Sequence, residues 1–210
     1  MSEPTVFLID DDASFLTAIS RLLRGMGFAV RSFDSAKAFL NELSATARGC
    51  VLVDLKMPGL SGLDLQKSLA QTENPLPVIF LTGQADIPST VQAMRGGAED
   101  FLTKRAPKEE VAGAIRRAFE RDEVERLKRS RLSELRSRLA TLTDREQQVL
   151  RHVIRGQMNK QIAAELGINE RTVKLHRTSV TRKLRAPSVA ELTRLCQEVG
   201  IEPRRDPDKP

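Results

Sequence analysis

The chain has few of the residues that build disulfide-linked or zinc-stabilised domains. Its 210 residues include two cysteines, Cys50 and Cys196, and two histidines. The cysteines lie in opposite halves of the chain, and neither belongs to a CxxC pair or to a Cys/His spacing typical of zinc sites. These counts argue against a disulfide framework and a structural zinc site, and we interpret both cysteines as small buried hydrophobic residues.

Long apolar runs are also missing. No stretch approaches the roughly 18 apolar residues of a membrane span. The first four residues, Met1-Ser2-Glu3-Pro4, lack the basic and then apolar pattern of a signal peptide. We therefore expect a cytoplasmic protein without a membrane partner. Hydrophobic residues make up 40% of the chain, which is enough for a packed core.

Charge is distributed unevenly along the chain. Residues 1–120 hold 13 Lys and Arg against 15 Asp and Glu, whereas residues 121–210 hold 21 against 13. A chain of this length fits two domains. A near-neutral half joined to a basic half predicts that the second half binds a polyanion, with nucleic acid ahead of an anionic membrane. A basic solvated surface is the alternative, and charge alone does not decide between them.

Four short apolar runs in the first half each end at a charged or hydroxylated residue. Runs of this length, rich in β-branched and aromatic residues and separated by helical patterns, are typical of buried parallel strands. The runs are Val6–Ile9 before Asp10-Asp11-Asp12, Cys50–Val53 before Asp54, Val78–Leu81 before Thr82, and Phe101–Thr103 before Lys104. Five alternating strand and helix patterns predict an α/β domain with a doubly wound, flavodoxin-like parallel sheet.

The polar residues after these strands are expected to share one pocket, because an open α/β sheet binds ligands at the carboxyl ends of its strands. Two acidic sites, a hydroxyl and an amine together suit a divalent cation and a phosphoryl group, which predicts a phosphorylation switch. Taken singly, each residue has a plainer interpretation, since an aspartate after a strand is often a turn former or a helix N-cap. Their order and joint position favour the pocket.

These residues resemble the motifs of response-regulator receiver domains, over residues 5 to about 120. The resemblance rests on Asp10-Asp11, Asp54 with Met57-Pro58-Gly59, Thr82-Gly83, Phe101 and Lys104. It implies that Asp54 accepts a phosphoryl group from a histidine kinase. It also implies a Mg²⁺ site formed by Asp10, Asp11, Asp54 and the backbone carbonyl of Lys56. Thr82 and Lys104 would contact phosphoryl oxygens, and Phe101 would change rotamer in step with Thr82.

One position departs from the receiver pattern. Similar receivers follow the lysine with proline through a bond that is usually cis, whereas Arg105 follows Lys104 here. A cis bond before a non-proline residue costs about 2.5 to 4 kcal/mol, so we predict a trans bond. Two local predictions accompany it. Gly62 should hold the backbone close to the pocket, and a helix with Pro88 in its first turn should bury Val91 and Met94.

A long helix is predicted between the two halves. Residues 111–142 contain no proline and one glycine, Gly113, and are dense in Arg, Glu, Leu and Lys. Four leucines in this segment form a heptad-like stripe: Leu132, Leu135, Leu139 and Leu142. Because fewer than three heptads are present, two interpretations stay open. The stripe either pairs with a second copy in a dimer or packs on its own domain.

The basic half carries a helix-turn-helix pattern. Thr143 and Glu146 form a capping-box pattern at the start of a helix. Residues 159–166 and 170–184 then form two helical patterns about the turn Gly167-Ile168-Asn169. Polar and basic residues lie off the apolar stripe of the second helix, where a recognition helix reaches bases and phosphates. They are Arg171, Thr172, Lys174, Arg177, Thr178, Arg182 and Lys183.

These blocks resemble the LuxR-type DNA-binding domain, most closely that of FixJ-like regulators, over about residues 138–202. The matching blocks are Leu142–Glu146, Asn159–Ala163 and Arg171–His176. The resemblance implies that Lys174, Leu175 and Thr178 face bases. It implies that Lys160, Thr172 and Arg182 bind phosphate. Arg171 and Arg177 complete the expected DNA-binding set.

The sequence thus predicts an α/β receiver domain and an all-α helix-turn-helix domain joined by a long helical linker. We assign residues 1–120 to the receiver, 121–140 to the linker, 141–202 to the DNA-binding domain and 203–210 to a disordered tail. The predicted function is a phosphorylation-dependent transcriptional regulator, not an enzyme. Its expected partners are a histidine kinase, promoter DNA, a second copy when phosphorylated, and RNA polymerase.

Two alternatives remain from the sequence. The first is a Mg²⁺-dependent phosphohydrolase with Asp54 as a transient nucleophile. It lacks a DxD motif around Asp54, and it leaves the basic domain unexplained. The second is a DNA-binding regulator with a degenerate receiver that acts without phosphorylation, which Arg105 keeps open.

Overall fold

The computed structural model describes residues 3–83 and 86–201. The predicted tail, residues 203–210, and position 202 of the predicted DNA-binding domain lie outside the described residues. The chain divides into two compact units between Arg126 and Leu127. The bounds assigned from the sequence to the receiver, linker and DNA-binding domains stay predictions.

The first unit alternates strands with helices, as predicted for an α/β domain. Its elements are β1 (Thr5–Ile9), α1 (Ala13–Gly25), β2 (Ala29–Phe33), α2 (Ala36–Glu42), β3 (Gly49–Val53), α3 (Gly62–Ala70), β4 (Val78–Thr82), α4 (Ile87–Arg95), β5 (Asp100–Thr103) and the start of α5 (Lys108–Ala140). All strand pairs are parallel, and the spatial order is β2-β1-β3-β4-β5. The predicted doubly wound fold is confirmed, and its strand order reverses beside β1.

Both faces of the three central strands, β1, β3 and β4, are buried, which explains the continuous apolar character of these strands. Side chains alternate between the faces. Phe7 and Ile9 of β1 join one hydrophobic cluster, whereas Val6 and Leu8 join the other. With helices covering both faces, the open surface of the sheet is at its strand ends. The polar residues at the carboxyl ends of β1, β3, β4 and β5 therefore lie at one edge of the sheet.

Helix α4 differs from its prediction. Its N-cap is Asp86 and Pro88 lies in its first turn, as expected. The prediction that Val91 and Met94 are buried is wrong, because their exposed fractions are 42% and 47%. The buried residue of α4 is Ala93, whose carbonyl oxygen accepts a hydrogen bond from Gln66 Nε2 at 2.9 Å. A small residue at the inward position leaves the larger apolar side chains of α4 at the surface.

The second unit is all-helical. It contains the end of α5 and then α6 (Asp144–Ile154), α7 (Asn159–Leu166), α8 (Glu170–Leu184) and α9 (Val189–Glu198). The predicted capping box at α6 is present, since Glu146 N donates to Thr143 Oγ1 and Thr143 N donates to Glu146 Oε2. Gly167 ends α7 in the left-handed conformation that the turn to α8 requires (φ +64°). The helix-turn-helix prediction is confirmed.

The leucine stripe of α5 packs within the second unit. Leu135 and Leu142 belong to its hydrophobic core, and Leu139 packs against that core. This arrangement favours the second interpretation of the stripe, packing on its own domain. Val124 and Leu127, farther toward the amino end of α5, are about half exposed, with exposed fractions of 50% and 55%. Among the described residues, no helix combines the length and apolar character needed to cross a membrane.

Candidate functional site

Three carboxylates meet at the carboxyl edge of the sheet. Asp10 and Asp11 follow β1, and Asp54 follows β3, which lies directly beside β1. Asp54 N donates to the carbonyl oxygen of Ile9 at 3.0 Å, which joins the two strand ends. One carboxylate oxygen from each aspartate lies within 4.8 Å of the other two. Asp10 and Asp54 are buried and Asp11 is exposed, so the cluster opens to solvent on one side.

Lys104 reaches two of these carboxylates from the end of β5. Its Nζ lies 2.5 Å from Asp10 Oδ2 and 3.0 Å from Asp54 Oδ2. Burial lowers the pKa of Lys104, but hydrogen bonds to Asp10 and Asp54 outweigh burial and raise it. For Asp10, burial is the largest effect and raises the carboxyl pKa, although the hydrogen bond from Lys104 lowers it. The lysine therefore stays charged while it bridges the two acids.

Asp54 has one oxygen without a hydrogen-bond partner. Its Oδ2 atom pairs with Lys104, whereas its Oδ1 atom is buried and unpartnered among the described residues. An unsatisfied buried acceptor costs about 1–3 kcal/mol, so it marks a place where a ligand would be stabilising. Carboxylate oxygens are the ligands that Mg²⁺ prefers. Asp10, Asp11 and Asp54 therefore fit the predicted metal site in chemistry and in spacing.

The third aspartate of the acidic run has a different role from its neighbours. Asp12 is the N-cap of α1, and its carboxylate accepts hydrogen bonds from the backbone of Ser14 and Phe15 at 2.9 and 3.0 Å. Its own N–H donates to Asp10 Oδ1 at 3.0 Å. Asp12 thereby starts the helix and holds the Asp10 side chain in place.

Phe15 of α1 is a site residue that the sequence does not single out. The Lys104 ammonium lies 4.4 Å from the centre of the Phe15 ring, within the range of a cation–π interaction. The ring therefore helps to hold Lys104 over the carboxylates. The signal in the sequence is the position of Phe15 in the first turn after the acidic run. Because Phe15 also fits the helical period of α1, its contact with Lys104 could not be predicted from that position.

The other predicted site residues lie at the same edge. Thr82 is the last residue of β4 and is buried, and Phe101 is half-buried on the neighbouring strand β5. The Phe101 ring stacks on Phe80 with ring centres 5.8 Å apart. Lys56 lies exposed in the loop after β3, two residues beyond Asp54. The roles of Thr82, Phe101 and the Lys56 carbonyl stay predictions.

Two backbone features shape this edge. A Cβ atom on Gly62 would lie 2.4 Å from the carbonyl oxygen of Asp54, so only glycine fits there. This confirms the predicted close approach of the backbone. The described residues contain no cis peptide bond, so the bond between Lys104 and Arg105 is trans, as predicted. Lys104 N donates to the carbonyl oxygen of Thr82 at 2.8 Å, which anchors the residue despite the missing proline.

Most of the predicted DNA-binding residues lie on the surface of α7 and α8. Thr172 and Arg177 are half-buried, and Thr172 donates its hydroxyl to the N-cap residue Asn169 at 2.9 Å. Leu175 has an exposed fraction of 65%, which is unusual for a leucine in a packed helix. The remaining members are exposed: Lys160, Arg171, Lys174, Thr178 and Arg182. Their contacts with DNA stay predictions.

Lys183 does not belong to this surface, although its position off the apolar stripe of α8 predicts a DNA contact. Its Nζ pairs with Glu146 Oε2 at 2.6 Å and donates to the carbonyl oxygen of Thr141 at 2.9 Å. Burial raises the pKa of Glu146, but hydrogen bonds from Lys183, Ser179 and the backbone of Thr143 outweigh it and lower the pKa to about 2. Lys183 therefore stabilises the fold by compensating a buried carboxylate.

Comparison with known proteins agrees with this two-part arrangement. Residues 6–116 match the family model of the response regulator receiver domain, and residues 140–196 match that of bacterial regulatory proteins of the luxR family. The response regulator TodT of Pseudomonas putida is 43% identical over 194 residues, which cover 92% of this chain and 86% of TodT. The transcriptional regulatory protein FixJ of Bradyrhizobium diazoefficiens is 37% identical over 93% of this chain and 96% of its own.

A solved structure agrees over nearly the whole chain. The response regulator StyR is 42% identical, covers 94% of this chain and 100% of its own, and superposes with a TM-score of 0.84. An α/β unit with an acidic pocket, followed by a helix-turn-helix unit, defines a two-domain transcriptional regulator. The chain belongs to the two-component response regulators with a LuxR-type DNA-binding domain, and it is FixJ-like.

Proposed function

We propose that Asp54 accepts a phosphoryl group from a histidine kinase, with Mg²⁺ in the pocket. We further propose that this step controls dimerisation and promoter binding by the helix-turn-helix unit. The observation that carries the proposal is the Asp54 Oδ1 atom, which is buried and has no partner among the described residues, while Oδ2 of the same carboxylate pairs with Lys104. A carboxylate held in this way has both an oxygen for a ligand and a fixed positive charge beside it.

The residues of the pocket divide the work of phosphoryl transfer. A carboxylate oxygen of Asp54 would bond to phosphorus as the bond from phosphorus to the donor histidine nitrogen breaks. Lys104 is 3.0 Å from this carboxylate and offers its charge to the phosphoryl oxygens. Asp10, Asp11, Asp54 and the Lys56 carbonyl would hold Mg²⁺. When bound, the metal supplies charge neutralisation for the phosphoryl group and the three carboxylates.

The added charge would be felt at the neighbouring strands. The Thr82 hydroxyl would respond first, a role that is supported by the position of Thr82 at the end of β4, paired with Thr103 of β5. Phe101 would follow as the aromatic group that changes rotamer. The surface of α4 has exposed apolar side chains at Ile87, Val91 and Met94, which supports dimerisation through a change near this helix.

Lys104 counts against the alternative of a receiver that works without phosphorylation. That alternative was left open because Arg105 replaces a proline, which puts the placement of Lys104 in question. Lys104 nevertheless pairs with both Asp10 and Asp54, although the peptide bond that joins it to Arg105 is trans. The relatives are named as regulators, which supports a regulator over a phosphohydrolase. Promoter DNA, RNA polymerase and a kinase are the partners that follow.

The proposal is tested with beryllofluoride, a phosphoryl mimic, together with Mg²⁺. Sedimentation and binding to a pool of promoter fragments are measured on the same sample, for the wild type and for Asp54→Asn. We expect the mimic to promote dimerisation and raise DNA affinity about tenfold or more in the wild type only, a coupling of about 1–3 kcal/mol. Asp34→Asn, which removes an exposed aspartate outside the pocket, should behave like the wild type.

The opposite result is equally clear. If the wild type and Asp54→Asn bind DNA equally well with and without the mimic, Asp54 is not the control point. The receiver would then act as a scaffold, and the alternative function would hold.

A further inference from the structure

The basic residues of the helix-turn-helix unit are not equally free to move. A hollow of about 590 Å³ lies between the start of α7 and the exposed face of α8. Its lining includes Lys160 from α7, and Lys174 and Arg177 from α8, against one carboxylate, Glu170. The hollow is therefore a positively charged concavity on the surface predicted to face DNA.

Arg177 differs from the other cations of this hollow because its side chain is tethered. Its Nη1 donates to Asn159 Oδ1, the side chain of the first residue of α7, at 2.8 Å. Both residues are half-buried, whereas Lys160 and Lys174 are exposed. A free arginine loses about 2 kcal/mol of rotamer freedom when it is immobilised. Because of the hydrogen bond to Asn159, part of the rotamer freedom of Arg177 is already lost before DNA binds.

The direction of the tether indicates what the guanidinium would contact. In a docked helix-turn-helix, the second helix lies in the major groove and the first crosses the sugar-phosphate backbone. Here α7 is the first of the pair and α8 the second. An arginine on α8 that is held toward the start of α7 therefore points to the rim of the groove, where phosphates lie, and away from the base edges. A planar guanidinium also suits a phosphate by geometry.

We propose that Arg177 and Lys160 together bind one phosphate of the DNA backbone, and that Asn159 is the positioning residue that holds Arg177 in this binding site. The inference rests on the DNA-binding part of the proposed function. It assigns Arg177 to affinity for the DNA backbone, not to base recognition. It also gives Asn159 a role that acts entirely through Arg177.

The test uses the full chain and a mixed-sequence duplex of about 30 base pairs, since a phosphate contact does not depend on sequence. Fluorescence anisotropy gives the affinity over a range of salt concentrations, with and without beryllofluoride and Mg²⁺. We expect Arg177→Ala to reduce the slope of log affinity against log salt by about 0.9, the value for one lost phosphate contact. Arg177→Lys should keep the slope, and Arg194→Ala, an exposed arginine on α9 outside the hollow, should also keep it.

Asn159→Ala separates positioning from a general structural role. It should weaken binding about threefold with little change in slope, because the charge of Arg177 remains. In an Arg177→Ala background it should have no further effect. Far-UV circular dichroism and thermal unfolding of each variant report whether the fold is kept.

Several results would overturn the inference. An unchanged salt slope in Arg177→Ala would show that Arg177 does not bind the DNA backbone. An equal loss from Asn159→Ala in both backgrounds would show that Asn159 acts independently of Arg177. If the wild type binds no duplex in any condition, the DNA-binding function itself is wrong, and the inference is wrong with it.

Discussion

Two buried acidic sites in this protein each contain one lysine, but the two sites differ in whether they can bind a ligand. In the receiver unit, the Lys104 ammonium pairs with both Asp10 and Asp54, and one Asp54 oxygen has no partner among the described residues. In the second unit, Lys183 pairs with Glu146 and also donates to the carbonyl oxygen of Thr141. Glu146 also accepts hydrogen bonds from Ser179 and the Thr143 backbone. The acidic site of the receiver unit can therefore bind a ligand, whereas both carboxylate oxygens of Glu146 already have hydrogen-bond partners.

The Glu146 network predicts an acid-sensitive stability of the helix-turn-helix unit. The pKa of Glu146 in the folded state is about 2, below the ordinary value of 4.5. Because the folded-state pKa is depressed, the stabilisation is present above pH 4.5 and is lost as the pH falls toward 2. We expect Glu146→Gln to lower the free energy of unfolding at neutral pH by about 1–3 kcal/mol. The difference from the wild type should shrink as the pH approaches 2.

Denaturant unfolding followed by far-UV circular dichroism at several pH values measures this effect. Glu134→Gln is the control, because Glu134 is exposed on α5 and forms its ion pair with Arg138 on the same helix. A constant difference between Glu146→Gln and the wild type over the whole pH range would contradict the prediction.

At the residue scale, the strand-end motifs were predictable because sheet topology alone brings them together. The roles that the sequence hid depend on a second partner distant in the chain. The acidic run does not tell which aspartate will cap α1, yet Asp12 does so. A basic residue off the apolar stripe looks like a DNA contact, but Lys183 turns to Glu146, 37 residues away. Phe15 likewise depends on the position of Lys104.

At the scale of elements, the connection from β3 to α3 controls the geometry of the pocket. Gly62 N donates to the carbonyl oxygen of Leu55 at 3.1 Å, and this turn brings α3 back beside the strand end that carries Asp54. A Cβ atom at position 62 would also lie 3.0 Å from the Phe80 ring. There is no room on either side, so the helix can begin at this position only if the residue has no side chain.

Gly62→Ala is therefore expected to destabilise the receiver unit. A Cβ atom 2.4 Å from the Asp54 carbonyl oxygen forces the backbone to shift, and overpacking of this kind costs about 1–3 kcal/mol. Gly25→Ala is the matched control, because a Cβ atom there meets nothing within 4 Å. Thermal unfolding of both variants tests this. If Gly62→Ala is as stable as Gly25→Ala, the close contact does not restrict this turn.

Helices and strands were predictable where the sequence has one strong hydrophobic period. The predictions failed where a small residue or a short pattern determines the buried face or the start of a helix. The strands and α6 to α8 follow from apolar runs, capping residues and Gly167. The buried face of α4 was not predicted, because Val91 and Met94 are larger and more hydrophobic than Ala93, the residue that is buried. Helix α9 (Val189–Glu198) was left unassigned, although Ser188 accepts a hydrogen bond from Glu191 N as its N-cap. The leucine stripe could not reveal its partner, since a core and a dimer both accept the same spacing.

At the scale of the whole molecule, the two units have separate hydrophobic cores. The clusters on the two faces of the sheet draw on residues 6–119, and the cluster of the helical unit draws on residues 135–201. The predicted functions divide in the same way, with the acidic pocket in one unit and the excess of basic residues in the other. A ligand of the pocket should therefore stabilise one core directly and leave the other unchanged.

Calorimetry with and without Mg²⁺ tests this division and the proposed metal site together. We expect two unfolding transitions, one for each unit. At a Mg²⁺ concentration of ten times the dissociation constant, the free energy of unfolding of the receiver unit should rise by about 1.4 kcal/mol, and that of the helical unit should not change. Asp11→Asn should be at least as stable as the wild type without metal, because one of three neighbouring carboxylate charges is gone. The same variant should lose most of the gain from Mg²⁺. The transition of the helical unit serves as an internal control, and an equal rise in both transitions would place the metal outside the pocket.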